Sequence, residues 1–410
     1  MVAMYATHPL IVLLAANGQS EAIFLFTVVL VLSQLMAWTR DDLLDRPLLM
    51  GYAVALGFLT RYEAVPFGTV VGAGMLMRML AVRHRQLLSS LLLYAAPPLL
   101  AILSWLWWNF AQTGDPFFFL WGPYSNLAQC ASNRLPASDL YPYYHHVDRA
   151  ASFVLIREAL LAPAFLVFLP IVAIVAVTRR SWSSTFVVLA CSSLAFFGIY
   201  QLYGGQSFGY LRFYVATVPS AVYMVAVAWQ SAARSIRPVI AVVGLALLAL
   251  DCVTTVMAMR VGEYGRMEAA IFDYFEGRPF DRGIFNQYEA ERVIAADLDA
   301  RPSRSAVLVD MVSGFPVVVF SRYPDQFVTT TDRHFEDILA APHGTVTHLL
   351  VHDPDDPQTP NAMSRFGRII EVHPEVLRAV GSWAVLEREY GSWRLFRVIA
   401  PPPTQQSYDR

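Results

Sequence analysis

Long apolar runs separated by short polar loops occupy the chain from its first residues to about residue 260. A helix needs about 20 mostly apolar residues to cross a bilayer, and on that basis the pattern predicts about nine spans. The predicted spans are residues 2–16, 21–38, 48–59, 64–81, 87–110, 159–177, 183–203, 211–230 and 238–259. The first and third are short, which fits tilted, re-entrant or broken helices.

The pattern changes after residue 260, where charges become frequent and apolar runs shorten to strand length. Residues 286–299 have the spacing of an amphipathic helix. The other predicted elements are strands at 305–310, 327–331 and 347–353, helices near 335–341 and 365–371, and a closing hairpin of 384–390 and 393–399. Alternating strands and helices are typical of a small parallel sheet. The predicted organisation is an all-α polytopic membrane bundle over residues 1–260, followed by an α/β domain over 261–410.

Composition supports a membrane protein with a polar domain attached. The chain is 56% hydrophobic and only 15% charged, whereas soluble domains carry about 25% charged residues. The net charge of -2 gives no electrostatic signal for a polyanion, so nucleic acid is not an expected partner. The three cysteines, Cys130, Cys191 and Cys252, lie outside the polar C-terminal third, which excludes a disulfide framework or a Cys-based zinc motif there.

Basic residues in the short loops predict the orientation in the membrane. Arg83-His84-Arg85, Arg179-Arg180 and the pair Arg234 and Arg237 alternate with loops that carry few positive charges. The positive-inside rule places these three clusters in the cytoplasm. Counting spans from them places the other polar segments outside, namely residues 17–20, 60–63, 111–149 and 204–210 and everything after residue 260. The unusual polar motifs are therefore expected on one outer face.

Two arginines in apolar surroundings lie in or directly after these outer segments. Arg61 and Glu63 form a charged island between two apolar runs, which fits either an interfacial loop with a charge pair or a membrane-embedded site for an anionic ligand. Arg212 follows the glycine-containing loop 204–210 at the mouth of a span, where an arginine often only extends towards water. Because tyrosines, Tyr62 and Tyr210, flank the two arginines closely, the pattern favours a clamp for a lipid phosphate.

Other polar residues are weaker candidates for a site. Asp115 lies in the turn sequence Gly114-Asp115-Pro116, where binding its own backbone is at least as good an explanation as a role with substrate. His145 and His146 are adjacent and point different ways on regular structure, which argues against a metal pair. Asp251 inside the last predicted span fits a contact between helices.

Three short segments carry a resemblance to a known family. Residues 59–63, the loop Thr113-Gly114-Asp115-Pro116 and the segment Tyr210-Leu211-Arg212-Phe213 resemble bacterial polytopic glycosyltransferases of the GT-C fold, in particular the protein mannosyltransferase and aminoarabinose-transferase-like families. The resemblance implies a bacterial plasma-membrane enzyme that uses a polyprenyl-phosphate sugar donor among the membrane lipids. It also implies an extracytoplasmic glycan or protein acceptor and an extracytoplasmic C-terminal domain. No cofactor is implied, although a divalent metal is compatible.

The resemblance also assigns roles to residues of this chain. Inverting transfer needs a carboxylate that deprotonates the acceptor and cationic donors that stabilise the departing phosphate. Arg61 and Arg212, with Tyr62 and Tyr210, are the expected phosphate-binding residues. The weak candidates for the base are Glu63 and Glu21, of which Glu63 is better suited to orienting Arg61. Asp115 and Gln206 are the expected substrate-loop residues.

The chain departs from the family pattern at its start. Family members carry an acidic pair in a large outer loop after the first span, whereas the first carboxylate here is Glu21 and no such loop precedes it. The expectation is a chain that lacks the first family spans and keeps the donor half of the site. Two alternatives stay open: a transporter or flippase of a lipid-linked sugar, and a non-catalytic membrane anchor that presents the C-terminal domain.

Overall fold

The structure is a computed structural model that describes residues 2–82, 86–122, 125–279, 288–301, 306–353, 368–374, 376 and 383–402. The predicted basic cluster Arg83-His84-Arg85 lies outside the described residues, as do positions 286–287, 305 and 365–367 of the predicted elements. The chain divides into two compact units, Met1–Trp105 with Asn133–Phe280 and Leu106–Ser132 with Asp281–Arg410. We refer to them as the helical unit and the sheet unit.

The helical unit is built from helices that follow the apolar runs. In chain order the helices are α1 Val2–Ala6, α2 Pro9–Ala16, α3 Ser20–Asp41, α4 Asp45–Thr60, α5 Ala64–Ala81, α6 Leu87–Thr113, α7 Phe118–Trp121, α8 Asn126–Gln129, α9 Val147–Leu161, α10 Pro163–Thr178, α11 Trp182–Tyr203, α12 Thr217–Ser231, α13 Arg237–Met259 and α14 Arg266–Phe275. Helices α7 and α8 and the end of α6 belong to the sheet unit. Short 3₁₀ turns occur at Ala131–Arg134, Tyr141–Tyr143 and Leu211–Tyr214.

Six helices of the described chain are long and apolar enough to cross a membrane: α3, α5, α6, α11, α12 with its preceding turn, and α13. A seventh crossing arises if α9 and α10, which are bent by 108° at a short break, form one span. These helices indicate a multi-pass membrane protein. The count of nine is not confirmed, because the first predicted span divides into the short helices α1 and α2, and α4 has only 16 residues.

Polar contacts hold the helical unit together at one end of its helices. Arg78 in the last turn of α5 donates to the Asp42 carboxylate at 2.6 Å, and its guanidinium lies 4.5 Å from the Trp38 ring. Arg40 at the end of α3 donates to Gln230 near the end of α12 at 2.7 Å. Arg179, directly after α10, donates to the carbonyl oxygen of Ser231 at the end of α12. We call these contacts the basic end of the helical unit.

The sheet unit contains a mixed five-stranded sheet. Its strands are β1 Val307–Val309, β2 Phe327–Val328, β3 His348–His352, β4 Ala384–Tyr390 and β5 Trp393–Val398, in the spatial order β2-β1-β3-β5-β4. The first three strands pair in parallel, and the β4–β5 hairpin adds to β3 in antiparallel orientation. The associated helices are α15 Glu289–Asp299, α16 Met311–Phe320, α17 Phe335–Ala340 and α18 Arg368–Val372.

The sequence-based elements of this unit correspond closely to the structure, with two corrections. The hairpin and its turn at Gly391, which has a φ of +64°, are confirmed. The sheet is mixed rather than purely parallel, because the hairpin is part of it. Helix α16 was not predicted, since its run of valines and phenylalanines has the composition of a buried strand. Gly314 lets α16 pass β1, because a Cβ there would lie 2.3 Å from a methyl group of Val309.

A polar network ties α15 to the sheet. Arg301, just after α15, pairs with Asp297 at 3.4 Å and with Glu387 of β4 at 2.9 Å. His348 of β3 approaches Glu387 at 3.2 Å, and Tyr390 donates to Asp297. Burial lowers the pKa of His348, and the neighbouring Glu387 only partly offsets this effect. The network is a structural link within the sheet unit.

Candidate functional site

The first component of the candidate site is Glu21, in the first turn of α3. Gly18 adopts a φ of +64° in the preceding turn, and Gln19 is the residue before the helix. A carboxylate in the first turn of a helix is stabilised by the partial positive charge of the free N–H groups there. Glu21 is only 3% exposed, so its charge also needs partners from other parts of the chain.

The second component is the three-residue break between α4 and α5. Arg61 ends α4 with an extended backbone, while its N–H still donates to Gly57 at 2.8 Å. Glu63 directly precedes α5, and Pro66 lies in the first turn of that helix, where a missing N–H costs nothing. The break therefore places a cation at the end of one helix and an anion at the start of the next, as the helix dipoles favour.

Arg61 is fully engaged by two carboxylates. Its NH1 lies 2.6 Å from Glu21 Oε1, its NH2 lies 2.6 Å from Glu63 Oε1, and its Nε donates to the same Glu63 oxygen at 3.0 Å. Burial by itself lowers the pKa of Arg61, but the carboxylates of Glu63 and Glu21 raise it above its usual value. The predicted role of Glu63 in orienting Arg61 fits this geometry.

Arg212 reaches the same carboxylate from a distant part of the chain. Its Nε lies 3.7 Å from Glu21 Oε1, and its NH1 donates to Gln19 at 3.5 Å. These contacts are long, and the side chain is 28% exposed. The structure therefore brings together Arg61 and Arg212, but in an unequal way: Arg61 is saturated by carboxylates, whereas Arg212 keeps N–H groups with only weak acceptors. We use the name rim cluster for Glu21, Arg61, Glu63 and Arg212 together with Glu268, which is described below.

Aromatic rings pack around both guanidinium groups of the rim cluster. The ring centroid of Phe213 lies 5.4 Å from the Cζ atom of Arg61 and 5.4 Å from that of Arg212. Tyr210 lies 5.5 Å from the Arg212 guanidinium and also contacts Phe213. Tyr62 instead packs on Phe58, with ring centroids 6.1 Å apart. The sequence analysis names Phe213 only as part of the segment Tyr210-Leu211-Arg212-Phe213. The contact of its ring with both arginines was not predicted.

Glu268 is a member of the rim cluster that the sequence did not reveal. It lies in the first turn of α14, after the last span, and is 4% exposed. Burial raises the pKa of Glu268, Arg212 lowers it, and Glu21 raises it further. The rim cluster thus holds two arginines and three carboxyl groups, and its net charge is zero or negative depending on the proton of Glu268.

The two predicted substrate-loop residues belong to different compact units. Asp115 belongs to the sheet unit, where its Oδ1 accepts the N–H of Phe117 at 2.9 Å and its Oδ2 accepts the indole N–H of Trp121 at 2.7 Å. This is the turn geometry that the sequence offered as the alternative to a substrate role. Gln206 belongs to the helical unit, and its backbone N–H donates to the carbonyl of Gln201 at 2.7 Å.

Asp251 joins the last span to the break between α9 and α10. Its Oδ1 accepts the N–H of Ala164, in the first turn of α10, at 3.0 Å. Four residues further along α13, Thr255 donates to the carbonyl of Leu161, the last residue of α9, at 3.2 Å. One face of α13 therefore binds both free helix ends at the break. The predicted contact between helices is confirmed.

Histidines and metal ligands give no site in the part of the chain that the structure describes. No group of three or more His, Cys, Asp or Glu side chains there is arranged to hold a metal ion. His145 packs against the rings of Tyr144 and Tyr203, with centroid distances of 3.9 and 5.3 Å.

Comparison of the chain with family models, with curated proteins and with solved structures finds no match.

Proposed function

We propose that this chain is a membrane glycosyltransferase, or part of one, that binds a polyprenyl-phosphate sugar at the rim cluster. The observation that carries the proposal is the meeting of Arg61 and Arg212, 151 positions apart in the chain, at one buried carboxylate. An arginine with weak acceptors beside aromatic rings suits a phosphate attached to a long apolar chain. The bacterial plasma membrane and an extracytoplasmic glycan or protein acceptor belong to the same proposal.

The two arginines have different roles in this proposal, because their contacts differ in strength. Arg61 is held by Glu21 and Glu63, so its role in the proposal is to hold the Glu21 side chain in place. Arg212, which has long contacts and is partly exposed, is the residue that exchanges its weak acceptors for phosphate oxygens. In the transfer, the bond from the sugar C1 to the phosphate oxygen breaks and the acceptor oxygen bonds to C1. The acceptor proton passes to a carboxylate, while Arg212 stabilises the phosphate that departs.

The binding half of the proposal is tested with the purified full chain and polyprenyl phosphate. Arg212→Gln is expected to weaken binding about tenfold or more, as for loss of a charge-assisted hydrogen bond. Arg237→Gln is the matched control, because Arg237 also lies 5.4 Å from a ring, that of Trp229, but outside the rim cluster. Equal affinity of wild type and Arg212→Gln would remove the phosphate site.

The transfer half is tested in membranes that contain the full-length gene product. A labelled polyprenyl-phosphate sugar is supplied, and the release of polyprenyl phosphate and the label on extracted glycans or proteins are measured. Arg212→Ala and Arg61→Ala are expected to abolish transfer while the protein still inserts. Normal transfer by both variants would exclude the rim cluster as the site.

The broken helix favours a transporter or flippase as the second candidate. Membrane transporters often place their ligand at discontinuous helices, and α9 and α10 meet at a break whose two helix ends are bound by α13. The two candidates differ in covalent outcome. A flippase moves the labelled lipid between leaflets and leaves the sugar–phosphate bond intact, whereas the transferase cleaves it. Movement of intact donor without release of polyprenyl phosphate would favour the flippase.

A further inference from the structure

A different arginine of the helical unit, Arg157 in α9, is buried without a close counter-charge. It is 5% exposed, and its guanidinium Cζ lies 4.2 Å from the ring centroids of both Phe153 and Tyr264. Two aromatic rings therefore lie against the guanidinium group and exclude water from it on those sides. An arginine that merely extended towards water would show the opposite pattern, with a buried stem and an exposed head.

The polar contacts of Arg157 are weak for a buried cation. Its Nε donates to the carbonyl of Gly209 at 3.5 Å, and its NH2 lies 4.0 Å from Glu263 Oε1. Charge-assisted hydrogen bonds are normally about 2.7–2.9 Å long. Glu263 itself is 76% exposed and lies in the segment directly after the last span. Among the described residues, Arg157 therefore keeps most of its donors without a strong acceptor, in contrast to Arg61.

We propose that Arg157 binds a phosphate-type oxyanion and that Glu263 occupies the approach to this site when the anion is absent. The planar fork of an arginine matches two phosphate oxygens, and an arginine stays charged at any working pH. The rings of Phe153 and Tyr264 fix the orientation of the fork before the anion arrives. Phosphate oxygens at normal hydrogen-bond distance supply the counter-charge that Glu263 gives only weakly.

The position of Glu263 indicates how the anion enters. The Glu263 carboxylate is exposed, and the residue follows α13 by four positions, at the end of a candidate span. Lipid headgroup phosphates and soluble phosphate both reach that level of a membrane protein. The site is distinct from the rim cluster in its arginine, its helix and its rings, and it does not depend on glycosyl transfer.

The experiment measures anion binding by the purified full chain in phosphate-free, lipid-depleted detergent. The probes are inorganic phosphate and dihexanoyl phosphatidic acid, and the readout is isothermal titration calorimetry. Glu263→Gln removes the competing carboxylate and is expected to tighten binding several-fold, because a nearby like charge opposes the anion. Asp148→Asn, an exposed change of the same charge near the start of α9, is the matched control and is expected to leave affinity unchanged.

Arg157→Lys keeps the charge, loses the planar fork and is expected to weaken binding about tenfold. If this variant fails to fold, the Glu263→Gln comparison still decides, since Glu263 is an exposed residue. Tighter binding of phosphatidic acid than of inorganic phosphate identifies a lipid headgroup as the source, and equal binding identifies soluble phosphate. Unchanged affinity in Glu263→Gln, or no binding of either probe to the wild type, overturns the proposal. The titrations are also run in Arg212→Gln, in which the rim cluster has lost its proposed phosphate-binding arginine, so that binding at Arg157 is measured separately from the proposed donor site.

Discussion

Glu21 determines the charge balance of the rim cluster. A carboxylate that is almost fully buried is expensive unless cations and hydrogen bonds surround it, and Glu21 meets this need with Arg61 at 2.6 Å and Arg212 at 3.7 Å. Its place in the first turn of α3 contributes further stabilisation. Glu21 is therefore better suited to holding two arginines in place than to accepting a proton.

The first prediction compares the two partners of Arg61. Arg61→Gln leaves the buried Glu21 with only the distant Arg212, and removal of one partner of a buried ion pair costs about 3–5 kcal/mol. Glu63→Gln leaves Arg61 paired with Glu21 and keeps an oxygen acceptor, so we expect a loss below about 1 kcal/mol. Thermal unfolding in detergent micelles measures both variants. A larger loss in Glu63→Gln than in Arg61→Gln would contradict the assignment of Glu21 as the central carboxylate.

The second prediction concerns the pH dependence that Glu268 contributes. Its folded pKa lies above the ordinary value of 4.5 because the side chain is buried. The folded state therefore binds the proton more tightly, and this contribution to stability is lost as pH rises from 4.5 through the raised pKa. Glu268→Gln should flatten the stability profile in that window. The control Asp148→Asn, at an exposed site of the helical unit, should follow the wild type, and an unchanged profile in Glu268→Gln would contradict the prediction.

Single residues show where sequence reasoning reached its limit. Arg61 and Glu63 were evident because two charges interrupt long apolar runs. The unfavourable free energy of charges in apolar surroundings can be recognised from the sequence alone. Glu268 and Arg157 have polar neighbours in the sequence, so their burial depends on packing between distant segments and leaves no local signal. The weak acceptors of Arg157 can be recognised only from distances.

At the scale of elements, the packing of α3 against α4 brings the rim cluster together. Arg46 near the start of α4 donates to Gln34 in the second half of α3, while Arg61 after α4 reaches Glu21 at the start of α3. The two helices are therefore antiparallel. Gly57 permits their close approach, because a Cβ there would lie 2.9 Å from Thr27 Oγ1 and 3.1 Å from the Ala64 Cβ.

The third prediction follows from this close approach. Gly57→Ala should push α4 away from α3 and lengthen the contact between Glu21 and Arg61, with a loss of about 1–3 kcal/mol as for other overpacked sites. Gly262→Ala is the control, since a Cβ at Gly262 would meet nothing within 4 Å. Thermal unfolding of both variants decides, and equal stability of Gly57→Ala and wild type would show that α3 and α4 are not in tight contact here.

Elements were predictable where local chemistry decides them. The β4–β5 hairpin follows from its Gly391-Ser392 turn, and the apolar runs gave the long helices to within a few residues. Helix α16 was missed because β-branched residues favour strands, yet Gly314 and its packing on β1 select a helix. The break between α9 and α10 was not predicted, because it depends on a long-range contact. Asp251 and Thr255, which bind the two helix ends, belong to a span about ninety residues later.

At the scale of the helical unit, polar contacts concentrate at two ends. The rim cluster joins the start of α3 with the segment after α4, the turn before α12 and the start of α14. The basic end joins the end of α3 with the ends of α5, α10 and α12. Four helices, α3, α4, α5 and α12 with its preceding turn, therefore run from the rim cluster to the basic end. The 16 residues of α4 extend about 24 Å, somewhat less than the thickness of a typical hydrocarbon core.

The fourth prediction concerns the side of the membrane on which each end of the helical unit lies. The positive-inside rule assigns the basic end, with Arg179, Arg180, Arg234 and Arg237, to the cytoplasm, so the rim cluster is expected outside. After removal of the native cysteines, Asn17→Cys next to the rim cluster should react with a membrane-impermeant maleimide in intact cells. Ala233→Cys at the basic end should react only after permeabilisation. Both positions are exposed, so burial cannot explain a difference.

A third cysteine extends the test to the sheet unit. Gly391-Ser392 forms the turn between β4 and β5, and these strands come after α13 in the chain, the helix that leaves the basic end. Ser392→Cys should therefore be labelled together with Asn17→Cys. Labelling of Ser392→Cys only after permeabilisation would place this turn in the cytoplasm. Protection of Asn17→Cys in intact cells would reverse the whole arrangement and would put the proposed phosphate site on the cytoplasmic side, where a donor in the outer leaflet cannot reach it.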